Sequence, residues 1–313
     1  MDKLVDAHCH VFTDPDSTHG SDDGGFQGTL RCVMSSNPYD WSSLKKLAGN
    51  GLRKDNVWVG FGVHPWYSHL FYVGYRRDKL SHYQDVLEYK NEEQFSSLVQ
   101  VLPEPLDLED YISEEFDGTL VSVIGEIGLD KLFRLPTTGF YMQGEKARLT
   151  TVKVKVSHQE AVFRRFCQLA RDNRRPISIH DVKCHGRLND ICNEELLPWP
   201  SVKICLHSYT GSEETLLGQW LKKFPSDRIF VSLSKFINFK NPEDGNALVR
   251  SLPPTCILTE TDFPIDNPDP SYQRDLTEQL QFLNAQIAQA WDGSLDTTHT
   301  ALHIYENFRK FIK

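Results

Sequence analysis

Short apolar runs recur along the chain at intervals that suit a repeated strand–helix unit. The runs are almost continuously apolar and rich in β-branched residues, which is typical of strands buried on both faces of a parallel sheet. They predict eight strands, at residues 3–10, 29–35, 57–63, 120–127, 176–180, 202–207, 228–234 and 255–261.

Helical periodicity occupies several of the intervals between these strands. It is clearest at 157–173, where Ser157 and Glu160 match a capping box at the start. Further helices are predicted at 212–224, 271–291 and 297–312. The alternation favours an α/β fold, a (β/α)₈ TIM barrel that forms a single domain over residues 1–313. The alternative is an open doubly wound sheet, but no GxGxxG motif follows the first strand.

Residues 64–119 separate the third and fourth strands by more chain than one helix requires. The aromatic and basic stretch HPWYSHLFYVGYRRDKLSHYQ comes first, and EPLDLEDYISEEFD, with seven acids and no base, follows it. We expect an enlarged loop after the third strand, with one helix near 91–102. A solvated surface is the ordinary interpretation of the acidic run, and docking of a protein partner is the alternative.

Composition and charge narrow the classes of function. The formal net charge of −9 argues against broad, non-specific wrapping of nucleic acid, but allows a phosphate substrate held locally by metal ions. The chain has no apolar run of membrane-spanning length and no signal-peptide pattern. Its seven cysteines are scattered without a CxxC pair. We therefore expect a reducing location, either the cytoplasm alone or the cytoplasm and the nucleus.

Side chains able to bind metal follow most of the predicted strands. In the segment DAHCH, His8 and His10 are two residues apart, so on a strand they point to the same side and form a natural metal clamp. The carboxyl ends of barrel strands form the rim at which active sites are built. The other candidates at this rim are His64, Glu126, His180, His207, Glu260 and Asp262.

The number of candidate ligands favours two metal ions over one. A single catalytic site needs about three protein ligands and a water. A carboxylate such as Glu126 can bridge two ions about 3.5–4 Å apart, and water held there becomes a nucleophile near neutral pH. Asp262 would orient this water or take its proton. Histidine and carboxylate ligands leave the metal open among Zn, Mn and Mg.

The chain resembles a known family in a series of motifs that run in family order. They are DAHCH, GFGVHPW, IGEIGLD, QEAVFRRFCQLARDNRRPISIH, LHSYTGS and LTETDFP. The combination resembles the TatD-type deoxyribonucleases of the metal-dependent hydrolase superfamily. The resemblance implies a barrel, a pair of divalent ions, and hydrolysis of DNA phosphodiester bonds, often from a 3′ end. It also implies that one ion is held by His8, His10 and Asp262, the second by His180 and His207, and that Glu126 bridges them.

One departure from the family concerns the substrate. The family often has an arginine two residues after the histidine of the fifth strand, where this chain has Val182 followed by Lys183. Relatives that cleave small amides, lactones and esters often carry a carboxylated lysine at the fourth strand, and Glu126 at this place favours the nuclease branch. The candidates for substrate contact are His64, Lys183, Arg134 and Lys235, with Trp66, Tyr67 and Phe133 for base stacking.

The leading hypothesis is a two-metal deoxyribonuclease that acts on single-stranded DNA or on 3′ ends. One alternative keeps the enzyme but gives it a small ester, amide or phosphoester as substrate. The other alternative is a barrel that mainly binds a protein partner, through residues 64–119.

Overall fold

The strands predicted from the apolar runs are all present. The computed structural model describes residues 4–12, 29–49, 56–142, 146–267, 269–291 and 295–313. The strands are β1 Leu4–Cys9, β2 Thr29–Val33, β3 Val57–Phe61, β4 Phe71–Tyr72, β5 Leu87–Glu88, β6 Leu106–Asp107, β7 Val121–Asp130, β8 Lys153–Val154, β9 Ile177–Val182, β10 Ile204–His207, β11 Ile229–Ser234 and β12 Ile257–Glu260.

Helices lie between the strands of the main sheet. They are α1 Pro38–Leu47, α2 Lys79–Val86, α3 Glu92–Val101, α4 Leu108–Glu115, α5 Val156–Asn173, α6 His185–Glu195, α7 Glu213–Thr215, α8 Leu221–Lys223, α9 Pro242–Ser251, α10 Pro270–Ala290 and α11 Thr297–Phe311. Two 3₁₀ helices, Pro65–Leu70 and Pro254–Cys256, and a π-helical turn, Leu216–Trp220, complete the set in the described ranges.

Eight parallel strands form one nearly closed barrel. Their order is β1-β2-β3-β7-β9-β10-β11-β12, so each strand pairs with the next barrel strand along the chain. The first and last strands meet because the backbone N–H of Asp262 donates to His8 O at 3.0 Å and that of His10 donates to Phe263 O at 2.9 Å. The predicted (β/α)₈ barrel is confirmed.

The fourth barrel strand is longer than predicted. The apolar run indicated an end at residue 127, but β7 continues to Asp130. Gly128 permits this extension, since it has a φ of +152° and an added Cβ would lie 1.9 Å from His180 O on the neighbouring strand. Only glycine tolerates both the backbone conformation and this close approach.

The predicted helices are confirmed, with two corrections. The capping box of Ser157 and Glu160 is wrong: α5 begins one residue earlier, after Lys155, without a side-chain cap, and Glu160 instead accepts two hydrogen bonds from Arg187. The helix at 212–224 begins at the Ser212 cap, but its centre is the π-helical turn.

The segment 64–119 contains three α-helices, besides the 3₁₀ helix Pro65–Leu70, where one helix was expected. The predicted helix is α3, and α2 and α4 are additional. Each additional helix begins after an aspartate, Asp78 or Asp107, whose side chain accepts from the first-turn N–H groups. One residue of the acidic run therefore has a structural role, since Asp107 caps the start of α4. No described helix is both long and apolar enough to cross a membrane.

Two histidines of neighbouring helices form hydrogen bonds with the backbone of the 3₁₀ helix Pro65–Leu70. The Nε2–H of His82 on α2 donates to His69 O, and that of His158 on α5 donates to Ser68 O, each at 2.9 Å. His69 itself is 1 % exposed, and burial lowers its pKa to about 3. This helix follows His64 directly, so the two contacts also fix the end of the third barrel strand.

Candidate active site

One buried carboxylate, Glu126 on β7, lies at the centre of the barrel mouth. Burial opposes its ionisation, but the imidazoles around it outweigh burial and hold the pKa of Glu126 well below its usual value. The distances from its carboxylate oxygens to the nearest ring nitrogens are 3.5 Å for His8, 3.3 Å for His10, 3.3 Å for His64, 3.0 Å for His180 and 2.9 Å for His207.

Asp262 faces this cluster from the end of β12. Its Oδ1 lies 3.2 Å from His10 Nε2 and 3.9 Å from His8 Nε2, and 35 % of its side chain is exposed. The residue has a φ of +60°, a left-handed backbone conformation that residues other than glycine adopt only uncommonly. The hydrogen bond from its N–H to His8 O stabilises this conformation, so the seam of the barrel orients the carboxylate.

Glu260, which is fully buried, contacts the ring of His207 from behind. Its Oε1 lies 3.4 Å from His207 Nδ1, and because a carboxylate only accepts, this nitrogen carries a proton. The hydroxyls of Ser208 and Ser232 also donate to Glu260. His207 Nε2 faces a second carboxylate, Glu126, at 2.9 Å. Although burial opposes protonation, the two carboxylates raise the pKa of His207 well above its ordinary value, so a metal ion would take the place of the proton on Nε2.

Asp130 contacts the ring of His180 in the way that Glu260 contacts the ring of His207. Its Oδ2 lies 3.4 Å from His180 Nε2 and accepts the indole N–H of Trp66 at 2.7 Å. Burial opposes ionisation of the Asp130 carboxyl, but the hydrogen bond from His180 outweighs burial and holds the pKa of Asp130 below its ordinary range.

The Nδ1 of His180 lies 3.0 Å from Glu126, so the ring stands between two carboxylates. Although burial opposes protonation, the hydrogen bonds to Asp130 and Glu126 raise the pKa of His180 to about 9, and a metal ion would take the place of the proton on Nδ1. Sequence reasoning missed Asp130, although it ends the motif IGEIGLD.

His8 offers a buried nitrogen to the same centre. Its Nδ1 contacts Ser178 Oγ at 2.8 Å, while its Nε2 is buried without a hydrogen-bond partner among the residues that the structure describes. This Nε2 points toward Glu126 and Asp262. An orphaned ring nitrogen beside two carboxylates suits a metal ligand, and so do the rings of His180 and His207, each of which stands between two carboxylates. The donor set therefore fits divalent metal.

His64 differs from the other imidazoles in its protonation. Its Nδ1 accepts the backbone N–H of Trp66 at 3.1 Å, so the proton lies on Nε2, which faces Glu126. Burial lowers the pKa of His64 to about 4, which keeps the ring neutral. His64 is thus a hydrogen-bond donor, consistent with the substrate contact predicted for it rather than with a ligand role.

A cavity of about 160 Å³ opens above the cluster. Lys183 and Arg134 are exposed, and neither is among the described residues that line the cavity, so their substrate contacts stay predictions. Trp66 does line it, with its ring stacked on Phe133 at 4.5 Å. The described lining is His10, Val11, Ser36, Asp40, His64, Trp66, Tyr67, Glu126, Tyr141, His180 and Asp262.

The six predicted metal ligands come together in one cluster. Three overlapping groups each bring their ligand atoms within 4.8 Å of one another. Glu260 belongs to none of these groups, but it lies behind them and contacts the ring of His207. The groups are His8, His207 and Asp262; His8, His10 and Glu126; and His64, Glu126 and His180.

Comparison with known proteins places this geometry in a family. The family model described as TatD related DNase matches residues 5–313. The chain belongs to the TatD related DNase family. It is therefore a metal-dependent hydrolase that acts on phosphoester bonds, as the motifs predicted.

Relatives and solved structures agree with this family. A Saccharomyces cerevisiae protein named an uncharacterized deoxyribonuclease is 81 % identical over 313 residues and covers all of both chains. The human 3′-5′ RNA nuclease TATDN2 is 24 % identical over 83 % of this chain and 28 % of its own length. The crystal structure of YjjV, a TatD homologue from Escherichia coli K12, shares the fold, with a TM-score of 0.60, 15 % identity and coverage of 99 % and 98 %.

Proposed function

We propose that the protein is a deoxyribonuclease that removes nucleotides from the ends of DNA with the help of two divalent ions. The observation that carries this proposal is the placement of one carboxylate, Glu126, against the imidazoles of four predicted ligands. A carboxylate in this position can bridge two ions, the arrangement used for in-line phosphoryl displacement.

The ligands divide between two positions around Glu126. His8, His10 and Asp262 would hold one ion, and His180 and His207 the other. When bound, divalent ions at this place would lower the pKa of water and stabilise charge on the phosphate. With the ions bound, Glu260 and Asp130 would accept the remaining ring protons of His207 and His180 and so leave His207 Nε2 and His180 Nδ1 to the metal.

Two further groups act on the substrate and on the attacking water. The carboxylate of Asp262 is the most accessible of the charged groups in the cluster, so it can orient a water molecule and accept its proton. The neutral ring of His64 borders the same cavity, where it would contact the substrate once its Nε2–H turns from Glu126 to a phosphate oxygen. The cavity admits the phosphate from the open side of the barrel.

Cleavage of a 5′-labelled single-stranded oligodeoxynucleotide with a free 3′ end tests the proposal. We expect stepwise release of nucleotides with Mg²⁺, Mn²⁺ or Zn²⁺ and none with EDTA. Glu126→Gln should lower the rate on the order of 10³-fold, since it removes the bridging charge. Glu278→Gln, which changes an exposed glutamate of α10, is the matched control. Full activity of Glu126→Gln, or no cleavage with any metal, would refute the proposal.

A second candidate substrate class follows from the shape of the cavity. Its volume is about 160 Å³, and neither lysine nor arginine occurs in its described lining. Both features suit a small phosphoester. Turnover of chromogenic phosphomonoesters or phosphodiesters without release of nucleotides from DNA would favour this class. Preferential cleavage of an RNA oligonucleotide of the same sequence would instead identify a ribonuclease.

A further inference from the structure

The loop after β11 carries an exposed aromatic side chain at the rim of the barrel that also carries the cluster of predicted ligands. Phe236 is 53 % exposed, two residues after the last residue of the strand. Its ring centroid lies 5.6 Å from that of Phe263, which follows Asp262 directly. Since the carboxyl ends of the strands share one rim, Phe236 lies on the same rim of the barrel as Asp262.

A lysine accompanies these two rings. Lys235 Nζ lies 5.7 Å from the ring centroid of Phe236 and 5.2 Å from that of Phe282. The cation thus lies over one side of the Phe236 ring and over the Phe282 ring. A ring face with an adjacent cation is the combination with which proteins bind single-stranded nucleic acid, because every base can stack and every phosphate is negative.

Trp66, one of the three aromatic residues named from the sequence as candidates for base stacking, is less suited to it. Trp66 stacks on Phe133 at 4.5 Å and has Tyr141 edge-on at 5.0 Å. Its indole N–H is also committed to Asp130. A base would have to displace these contacts, whereas Phe236 offers ring surface that is already exposed.

We infer that Phe236, supported by Phe263 and Lys235, is a stacking platform for a base of single-stranded DNA. The base would lie on Phe236 while the adjoining phosphate meets Lys235, and the strand would continue past Phe263 toward Asp262. This inference rests on the proposed nuclease function, since it assigns the strand that enters the cluster. It also explains how a cavity without described lysines or arginines holds a polyanion.

Binding measured without catalysis tests the platform. Fluorescence anisotropy with a fluorescein-labelled dT oligonucleotide of about ten nucleotides, in EDTA, gives Kd for the intact protein and its variants. Phe236→Ala should raise Kd about five- to hundredfold, the usual loss for one stacked base. Phe236→Trp should retain the affinity. Leu302→Ala, which removes a side chain 47 % exposed on the outer helix α11, should leave Kd unchanged.

The outcomes separate this inference from the nuclease proposal. Equal Kd values for wild type and Phe236→Ala, no measurable binding by the wild type, or equally tight binding of an oligonucleotide without bases would overturn the platform. If Phe236→Ala binds weakly as expected but the wild type cleaves no DNA, the nuclease proposal fails while the platform stands. If the wild type cleaves DNA and Phe236→Ala binds normally, only the platform fails.

Discussion

Acid should lower the free energy of unfolding, because the buried imidazole of His69 resists protonation in the folded state. Burial lowers the pKa of His69 from 6.5 to about 3, so the ring stays neutral in the folded state at pH 5. The same ring takes up a proton in the unfolded chain once the pH falls below 6.5. The unfolded state therefore binds more protons, and stability falls as the pH falls from 6.5 toward 3.

The magnitude follows from the difference between the two pKa values. Between pH 7 and pH 5, a histidine that stays neutral only in the fold removes ~2 kcal/mol from the free energy of unfolding. His69→Gln removes this titration. The variant should thus lose ~2 kcal/mol less than the wild type over the same interval, whatever the substitution costs at pH 7.

Urea unfolding followed by circular dichroism at pH 7 and pH 5, in EDTA, measures this difference. All other titrating groups are shared by the two proteins and cancel in the comparison. His299→Gln is the matched control, because the side chain of His299 is 65 % exposed. Equal losses for wild type and His69→Gln would show that His69 is not held neutral in the fold, and would refute the reasoning.

Three substitutions test contacts within the barrel. Glu260→Gln should weaken Mn²⁺ binding about 10- to 100-fold, since it removes the carboxylate that contacts His207 Nδ1. Titration calorimetry measures this affinity, and an unchanged value would exclude this role of Glu260. Trp66→Phe removes the N–H donated to Asp130 and should cost ~2 kcal/mol in urea unfolding; a neutral effect would show that water replaces the bond. Arg228→Met leaves four backbone carbonyls without their buried donor and should cost ~3 kcal/mol or more; a loss below ~1 kcal/mol would contradict this accounting.

The barrel and the cluster could be predicted because each strand carries its own signal. Apolar runs identify buried parallel strands, and the polar residue that ends each run must lie at the common rim. His180 and His207 meet Glu126 for this reason alone. No long-range pairing had to be known.

The contacts behind the histidine rings could not be predicted in the same way. Ser178 contacts His8 from four strands farther around the sheet, and Asp130 contacts His180 only because β7 extends past its apolar run. Such contacts depend on register and on strand length, which periodicity leaves uncertain by a few residues. The helices α2 and α4 were missed for a different reason, since both are short and only their aspartate caps mark them.

The seam between β1 and β12 has a consequence for the newly made chain. His8 and His10 come from the first strand of the barrel, whereas Asp262 follows the last, so the ribosome delivers these three ligands at widely separated times. A nascent polypeptide that lacks β12 has neither a sealed barrel nor an assembled centre. Hydrolytic capacity is thereby withheld until the last strand of the barrel has been translated.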